Sequence, residues 1–558
     1  MNKPMAGWVH RRTGEHTALS WFESPLAACL TLLILCGIFF FFRLGSFPLL
    51  GPDEPRYGQV AREMLTRLDV ITPTLGGHPW LEKPVLLYWL MMLSMSLLGV
   101  TEWAARLPSA LLAALATLIV YDTGRRVISA QYGFLSGLAL SVSLMFAVFA
   151  HGATTDMPLA ATMTLGLCCF FVFETRAARR PHRWLLAAYA WFGAALLAKG
   201  LVGVVLPLAI IGVYWLLTRQ WKRWREARWL AGLLMLLAVA STWYVPVIAR
   251  HGWTFINEFF ISHHLERFTS NKFNHPGPIY YFIPVILIGV FPFTTFLVAA
   301  LMRLRWSLCH SDDVRDRLRC FAAVWVFLPL LFFSFSGSKL PGYILPVIPA
   351  AAFLIADELQ RLLTADVDRT GSVAAKLAAA FVMTMSVVGF FFAERELPLG
   401  GKGHLIMLFI GLGTGAVALY WSVIHQYGRS IAALVVGCAV AFTAANFVYV
   451  PAAAEKESLH RLAEAAVRAM RPDERIVGFF YFHHSLTFYT NARSIYDERG
   501  NVVIARSPDE LLQQVRQHGS VLCVTRQEIW QDLSRDARFR FELLGQQQDI
   551  ILVRATGQ

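Results

Sequence analysis

The chain is a succession of apolar runs, most of them about 20 residues long, separated by short charged loops. No other feature limits the fold as much. A backbone inside hydrocarbon must satisfy its own hydrogen bonds, so such runs are expected to be helices crossing a bilayer. They lie near 25–45, 84–100, 105–127, 131–150, 157–175, 184–198, 200–218, 229–249, 279–302, 320–335, 342–363, 373–393, 404–424 and 430–450. With 56% hydrophobic and only 16% charged residues over 558 positions, the chain has too little polar surface for a soluble protein of its size. The formal charge of +13 does not point to nucleic acid, because no basic domain stands apart from the apolar part. Of the eight cysteines, most sit in or beside apolar runs, with no CxxC spacing and no disulfide framework. The first apolar run lacks a small-residue cleavage site and is expected to be a retained anchor.

Loop charge decides the topology. If every run crossed, the basic loops would alternate between the two sides. If 84–100 lies flat in the interface, the basic loops 124–126, 175–183, 219–228, 303–319 and 361–376 share one side, which the positive-inside rule makes cytoplasmic. That run is short, opens with Pro84 and is rich in Tyr, Trp and Met, as interfacial segments often are. The expectation is a polytopic α-helical membrane protein with about 13 spanning helices plus juxtamembrane helices. Its N-terminus is inside and its C-terminus outside. The outer face then receives 46–104, 151–156, 198–200, 250–278, 336–342 and 394–403.

Residues 1–452 form the membrane domain and 453–558 a small α/β domain on the outer face. "ERIVGFFYF" (474–482), "SVLCVT" (520–525) and "QDIILVRA" (548–555) read as strands. "SPDELLQQVRQH" (507–518) reads as a helix with Ser507 at its N-cap.

The outer loops carry the chemistry. Asp53 and Glu54 stand between two prolines, followed by Arg56 and Tyr57, and open an amphipathic stretch at 53–69 with its acids at the favoured N-terminal end. Glu82 and Lys83 precede Pro84. Lys339 and Tyr343 bracket a Pro-Gly turn at the head of a spanning run, and Asp156 opens another. Taken singly, each has a structural reading as a helix cap or a snorkelling lysine. Together they put lysine, arginine and tyrosine, which hold a lipid phosphate, beside carboxylates able to act as a base or steady a sugar cation. Lys199, between two runs, is placed to pair with an outer carboxylate or meet a headgroup. His263 in "ISHHLERF" and Glu82 are a candidate pair for a structural Zn²⁺ or Mn²⁺, although two ligands do not complete a site. A monophosphate leaving group demands no metal and no cofactor. "FHHS" (482–485) reads as a strand end.

"PDEPRY", "WLEKPVLLYWL", "EWAARLPSALLAALATLIVYDTGRR" and "SGSKLPGYILPVIPA" resemble the C-type membrane glycosyltransferases. Among these the resemblance is closest to the aminoarabinose transferases that modify lipid A in Gram-negative bacteria, with protein O-mannosyltransferases more distant. It implies transfer of 4-amino-4-deoxy-L-arabinose from undecaprenyl phosphate to a lipid A phosphate at the periplasmic face of the inner membrane, and with it resistance to polymyxin. The resemblance makes Asp53, Asp156 and Glu82 the catalytic acids. Lys83 and Tyr343 become donor-phosphate ligands, with Arg56, Tyr57 and Lys339 beside them. A phosphate acceptor is already anionic, so Asp53 either serves as base or orients the acceptor or the sugar amine. The alternatives are a protein O-mannosyltransferase-like enzyme and a lipid-phosphate flippase. A flippase would place charges near the bilayer midplane in repeated halves, whereas these lie on one face.

Overall fold

A computed structural model describes residues 24–257, 259, 277–364, 367–397, 401–497 and 500–558. Eight of its helices are long and apolar enough to cross a membrane, and two bent helix pairs raise the number to ten. Three further helical segments, 25–41, Pro181–Lys199 and Val202–Leu217, are shorter or less apolar. These thirteen segments coincide with the thirteen runs expected to span. The fourteenth run forms helix Leu86–Leu98, whose 13 residues reach about 20 Å, short of a hydrocarbon core of about 30 Å. One face of it is buried, through Leu87, Tyr88, Met91 and Met95, while Leu93 and Leu97 stay exposed.

The bent pairs are Ala130–Val142 with Leu144–Ala150, at 63°, and Phe282–Gly289 with Thr294–Met302, at 117°. Pro292 sits in the second break, where it offers no backbone donor. The two breaks meet: the Leu144 amide donates to the Phe291 carbonyl at 3.2 Å. Each break thus supplies a partner that the other's lost helical turn lacks.

The basic end is neutralised from within. Buried Glu174 accepts from Arg317 at 2.6 Å, and Arg303 pairs with buried Glu358 at 2.9 Å. Arg315, Arg319 and Arg361 surround buried Asp357 at 3.4, 3.4 and 3.0 Å. Much of the loop charge is therefore packed against acids carried by the helices. All eight cysteines are free thiols.

At the other end, helix Asp53–Arg67 starts at its acidic pair. It is followed by a small hairpin of β1 (Thr74–Leu75) and β2 (His78–Pro79). Glu63 holds the hairpin, accepting from the Gly76 and Gly77 amides at 2.7 and 3.0 Å and from the Thr74 hydroxyl at 2.8 Å. That fixes where the next residues, Glu82 and Lys83, emerge.

The last membrane helix runs on to Glu457, and the C-terminal domain follows. Its sheet holds β3 (Arg475–Phe479), β4 (Ile504–Ala505), β5 (Ser520–Arg526), β6 (Phe539–Gln547) and β7 (Ile550–Gly557), in the order β4-β3-β5-β7-β6. β3 pairs in parallel with β4 and β5, and β7 pairs antiparallel with β5 and β6. The three expected strands and the helix Pro508–His518 are present, with Ser507 capping the Glu510 amide at 3.2 Å. β6 went unanticipated because its burial does not alternate cleanly.

Candidate active site

Two clusters form at the end of the bundle opposite the basic loops. The first gathers around Tyr57. Asp53, nearly half exposed, forms an ion pair with Arg56 one turn along the same helix. Arg56 also donates from Nε to the Pro52 carbonyl at 3.1 Å, and its guanidinium lies 5.6 Å from the centre of the Trp80 ring. Across from it, Lys83 Nζ meets Glu82 Oε1 at 2.7 Å, both side chains being largely buried. Burial opposes the charged form of Arg56, but Asp53, Tyr57 and Glu82 outweigh it and hold the guanidinium above its ordinary range. Tyr57 is fully enclosed, its ring 6.0 Å from Tyr88. Burial, followed by the charges of Asp53 and Glu82, pushes its phenol well up, so it remains a neutral hydroxyl. Asp53, Arg56, Glu82 and Lys83 are thus brought together as two acids and two bases around the neutral phenol of Tyr57.

Glu54, the other half of the acidic pair, has a separate task. Its carboxylate accepts from Arg106 at 3.1 and 2.6 Å, from the Leu50 amide at 2.7 Å and from the Ala153 amide at 2.7 Å. Arg106 is wholly buried and donates also to the carbonyls of Leu44, Phe47 and Pro48. This knot ties the segment that leads into helix Asp53–Arg67 to helix Glu102–Val127 and to the loop that leads into Asp156.

The second cluster centres on Asp156, the first residue of helix Asp156–Glu174. Lys199 is hydrogen-bonded to it, and the same ammonium stands 5.2 Å from the centre of the Tyr343 ring. Lys199 therefore pairs with an outer carboxylate, as expected, and joins Asp156 to Tyr343. Gly342 packs against the Asp156 carboxyl so closely that a Cβ would stand 2.6 Å from its Cγ, so any side chain there would push the carboxyl out of place. Lys339 points into its own turn, donating to the Ser336 carbonyl at 2.7 Å, and is buried. Its ammonium is engaged by the fold.

His263 lies outside the described residues. Among the described residues no group of three or more His, Cys, Asp or Glu is arranged to hold a metal ion. Glu82 instead stands against Lys83.

The "FHHS" pair is not a strand end. His483 and His484 lead into the short helix Ser485–Tyr489, which packs on helix Asp53–Arg67. Burial, followed by the charge of Arg56, pushes His484 down to about 3. No local pattern in the sequence announced this contact, since the two segments lie over 400 residues apart.

This geometry has counterparts. Residues 82–245 match the family model described as dolichyl-phosphate-mannose-protein mannosyltransferase. An undecaprenyl phosphate-alpha-4-amino-4-deoxy-L-arabinose arabinosyl transferase of Pectobacterium carotovorum subsp. carotovorum is 30% identical over 416 residues, 73% of each chain. One from Pseudomonas paraeruginosa is 32% identical over 341 residues, 60% of each chain. The crystal structure of ArnT from Cupriavidus metallidurans bound to undecaprenyl phosphate superposes with a TM-score of 0.79 at 25% identity, covering 94% of this chain and 97% of that one. The Archaeoglobus fulgidus oligosaccharyltransferase shares the fold alone, with a TM-score of 0.53 at 11% identity, covering 91% of this chain and 70% of that one. The two clusters thus sit in a multi-pass membrane glycosyltransferase, and the chain belongs to the undecaprenyl phosphate-alpha-4-amino-4-deoxy-L-arabinose arabinosyl transferase family.

Proposed function

We propose that the protein moves 4-amino-4-deoxy-L-arabinose from undecaprenyl phosphate to a phosphate of lipid A at the periplasmic face of the bacterial inner membrane. The observation that carries this reading is the convergence of Asp53, Arg56, Tyr57, Glu82 and Lys83 at the juxtamembrane helix, beside the apolar helix Leu86–Leu98. A lipid phosphate needs cations at the membrane boundary and an apolar surface just beneath them. Lys83 and Arg56 supply the charge, each already poised against a carboxylate that a bound phosphate displaces or shares.

In the reaction an oxygen of the acceptor phosphate attacks the anomeric carbon. The bond from that carbon to the donor phosphate oxygen breaks, and undecaprenyl phosphate leaves with the electron pair. Lys83 and Arg56 stabilise the charge that grows on the leaving phosphate. The attacking oxygen carries no proton at neutral pH, so Asp53 serves to steady the sugar's developing positive charge and its ammonium. Asp156, held by Lys199 and backed by Tyr343, orients the acceptor side. None of these steps calls for a metal.

The test is an acceptor panel. Purified protein receives the aminoarabinosyl lipid together with lipid A, with a peptide acceptor, or in liposomes with no acceptor. A mass gain of one aminopentose on lipid A alone is the expected result. Gain on the peptide instead assigns a protein glycosyltransferase, and movement of intact donor between leaflets assigns a flippase.

A further inference from the structure

Three helices, Arg369–Glu396, Lys402–Val423 and Tyr427–Glu457, stand at the edge of the bundle. Only 28, 22 and 22% of their apolar stretches are buried, against 94% for Asp156–Glu174. Between this trio and the two helix breaks lies a cavity of about 250 Å³. Leu144, Ile288 and Phe291 at the breaks form one wall, and the facing wall includes Ser386, Gly389 and Thr414. The Ser386 hydroxyl donates to the Val382 carbonyl and the Thr414 hydroxyl to the Ile410 carbonyl, both at 2.7 Å. These hydroxyls are spent on their own helices, so they leave the cavity little with which to hold water. It exceeds the ~150 Å³ at which an apolar cavity already stays dry and takes up a hydrocarbon. Nor is it sealed, since Leu144 is 37% exposed and Ile288 52%. In a bundle that crosses a bilayer such an opening faces hydrocarbon, and a lipid chain is what fills it.

Both helices of the break wall lead to the cluster around Asp156. Helix Leu144–Ala150 runs from the cavity to His151, five residues before Asp156. Helix Phe282–Gly289 begins near Tyr343, because the Phe333 ring lies 5.4 Å from that of Tyr343 and 6.3 Å from that of Phe282. The 7 residues of Leu144–Ala150 rise about 10 Å. One leaflet of a ~30 Å hydrocarbon core is about 15 Å deep. A lipid with its phosphate at the level of Asp156 and Lys199 therefore has chain enough to reach the cavity. The cluster around Tyr57 has an apolar surface of its own in helix Leu86–Leu98, none of whose residues lines the cavity. Transfer from one lipid to another needs two such surfaces.

We propose that this cavity holds a fatty acyl chain of the acceptor lipid, and so forms an acceptor site separate from the surface that takes the donor's chain. The proposal rests on the glycosyl-transfer reading above. It gives the three peripheral helices and the two breaks a part in acceptor binding.

The experiment fills the cavity from both walls of the trio in full-length protein. Gly389→Leu adds a side chain where a Cβ meets nothing within 4 Å, and Ala441→Leu adds one from another lining helix, so that the result does not hang on one variant folding. Gly413→Leu is the control, since a Cβ there also meets nothing and the residue does not line the cavity. KM for each substrate, kcat and melting temperature are measured with the aminoarabinosyl lipid as donor and either lipid A or fully deacylated lipid A as acceptor. Both cavity variants are expected to raise the KM for lipid A about tenfold or more, the scale of a few methylenes denied their contacts. Donor KM, kcat and melting temperature stay at the parent's values, the deacylated acceptor shows no difference between parent and variants, and Gly413→Leu behaves as the parent throughout. An unchanged KM for lipid A overturns the proposal, as does a rise that persists with the deacylated acceptor. Loss of co-purified phospholipid from the cavity variants with an unchanged KM for lipid A also overturns it, and assigns the cavity to a resident membrane lipid. A parent that transfers no aminopentose to either acceptor defeats the functional reading instead, a result distinct from these.

Discussion

Replacing Glu54 with glutamine removes one charge and almost no volume, yet it should unfold the loops around helix Asp53–Arg67 before it disturbs any chemistry. Each carboxylate oxygen accepts two bonds. Oε1 takes Arg106 Nε and the Ala153 amide, and Oε2 takes Arg106 Nη2 and the Leu50 amide. A glutamine has one oxygen and one NH₂. Whichever way it is turned, one guanidinium nitrogen and one backbone amide face another donor. Arg106 is 0% exposed and cannot shed its proton, so its charge remains buried and unpaired. Breaking a buried pair in this way costs about 3–5 kcal/mol, a large part of the ~5–15 kcal/mol that holds a typical domain together. The assay is the melting temperature in detergent, read by size-exclusion of heated samples, alongside initial transfer rates. Glu54→Gln is expected to melt well below the parent, with residual activity per folded molecule. The double variant Glu54→Leu/Arg106→Met should cost less than its two single variants added, because neither partner is then stranded. A Glu54→Gln protein that melts like the parent but has lost transfer would refute the assignment and make Glu54 a participant in the chemistry.

Asp53→Asn, at a half-exposed position, is expected to leave the melting temperature nearly unchanged and cut kcat by about 10²-fold or more, the scale of a lost charge at a reacting centre. Lys83→Met should weaken binding of undecaprenyl phosphate by about tenfold or more, measured by titration of the purified protein; unchanged affinity sinks its role as a phosphate ligand. Gly342→Ala should drive a methyl group into the Asp156 carboxyl and lower both activity and expression, whereas Gly413→Ala, where a Cβ meets nothing, should be silent in both assays. Acid should loosen the C-terminal domain through Glu474. Burial alone would raise its pKa, but hydrogen bonds from Arg554, the Arg471 amide and Ser520 outweigh it and hold the pKa below the usual carboxylate range. A depressed folded pKa gives stability that is complete above the unfolded value of about 4.3 and is lost as pH falls through the folded one. Glu474→Gln should therefore melt below the parent at pH 7, with the gap closing under acid; a gap that stays constant down to pH 3 contradicts this.

The thirteen apolar segments, the short helix within 84–100 and the strands 474–482 and 520–525 were legible because each follows from local composition and period. So was the acidic start of helix Asp53–Arg67, since the dipole and the two prolines are neighbours in sequence. What stayed hidden needed long-range pairing. Nothing local says that Glu174, Asp357 and Glu358 reach the basic loops from inside the bundle. Arg106 sits inside "EWAARLPSALL", and only the fold wraps Leu44, Phe47 and Pro48 around it. Asp53 and Glu54 are adjacent in sequence, but the helix points one into the site and the other into the knot. The contact of helix Ser485–Tyr489 with helix Asp53–Arg67 spans two domains, and periodicity carries no information about it.

The most direct test of the account follows both products of one reaction. Purified protein is given the aminoarabinosyl lipid and lipid A, and free undecaprenyl phosphate and modified lipid A are counted by mass spectrometry over time in the parent and in Asp53→Ala. The account predicts equal molar amounts of the two products in the parent, and neither in Asp53→Ala despite intact folding. Undecaprenyl phosphate released without modified acceptor, or transfer surviving in Asp53→Ala, would contradict it.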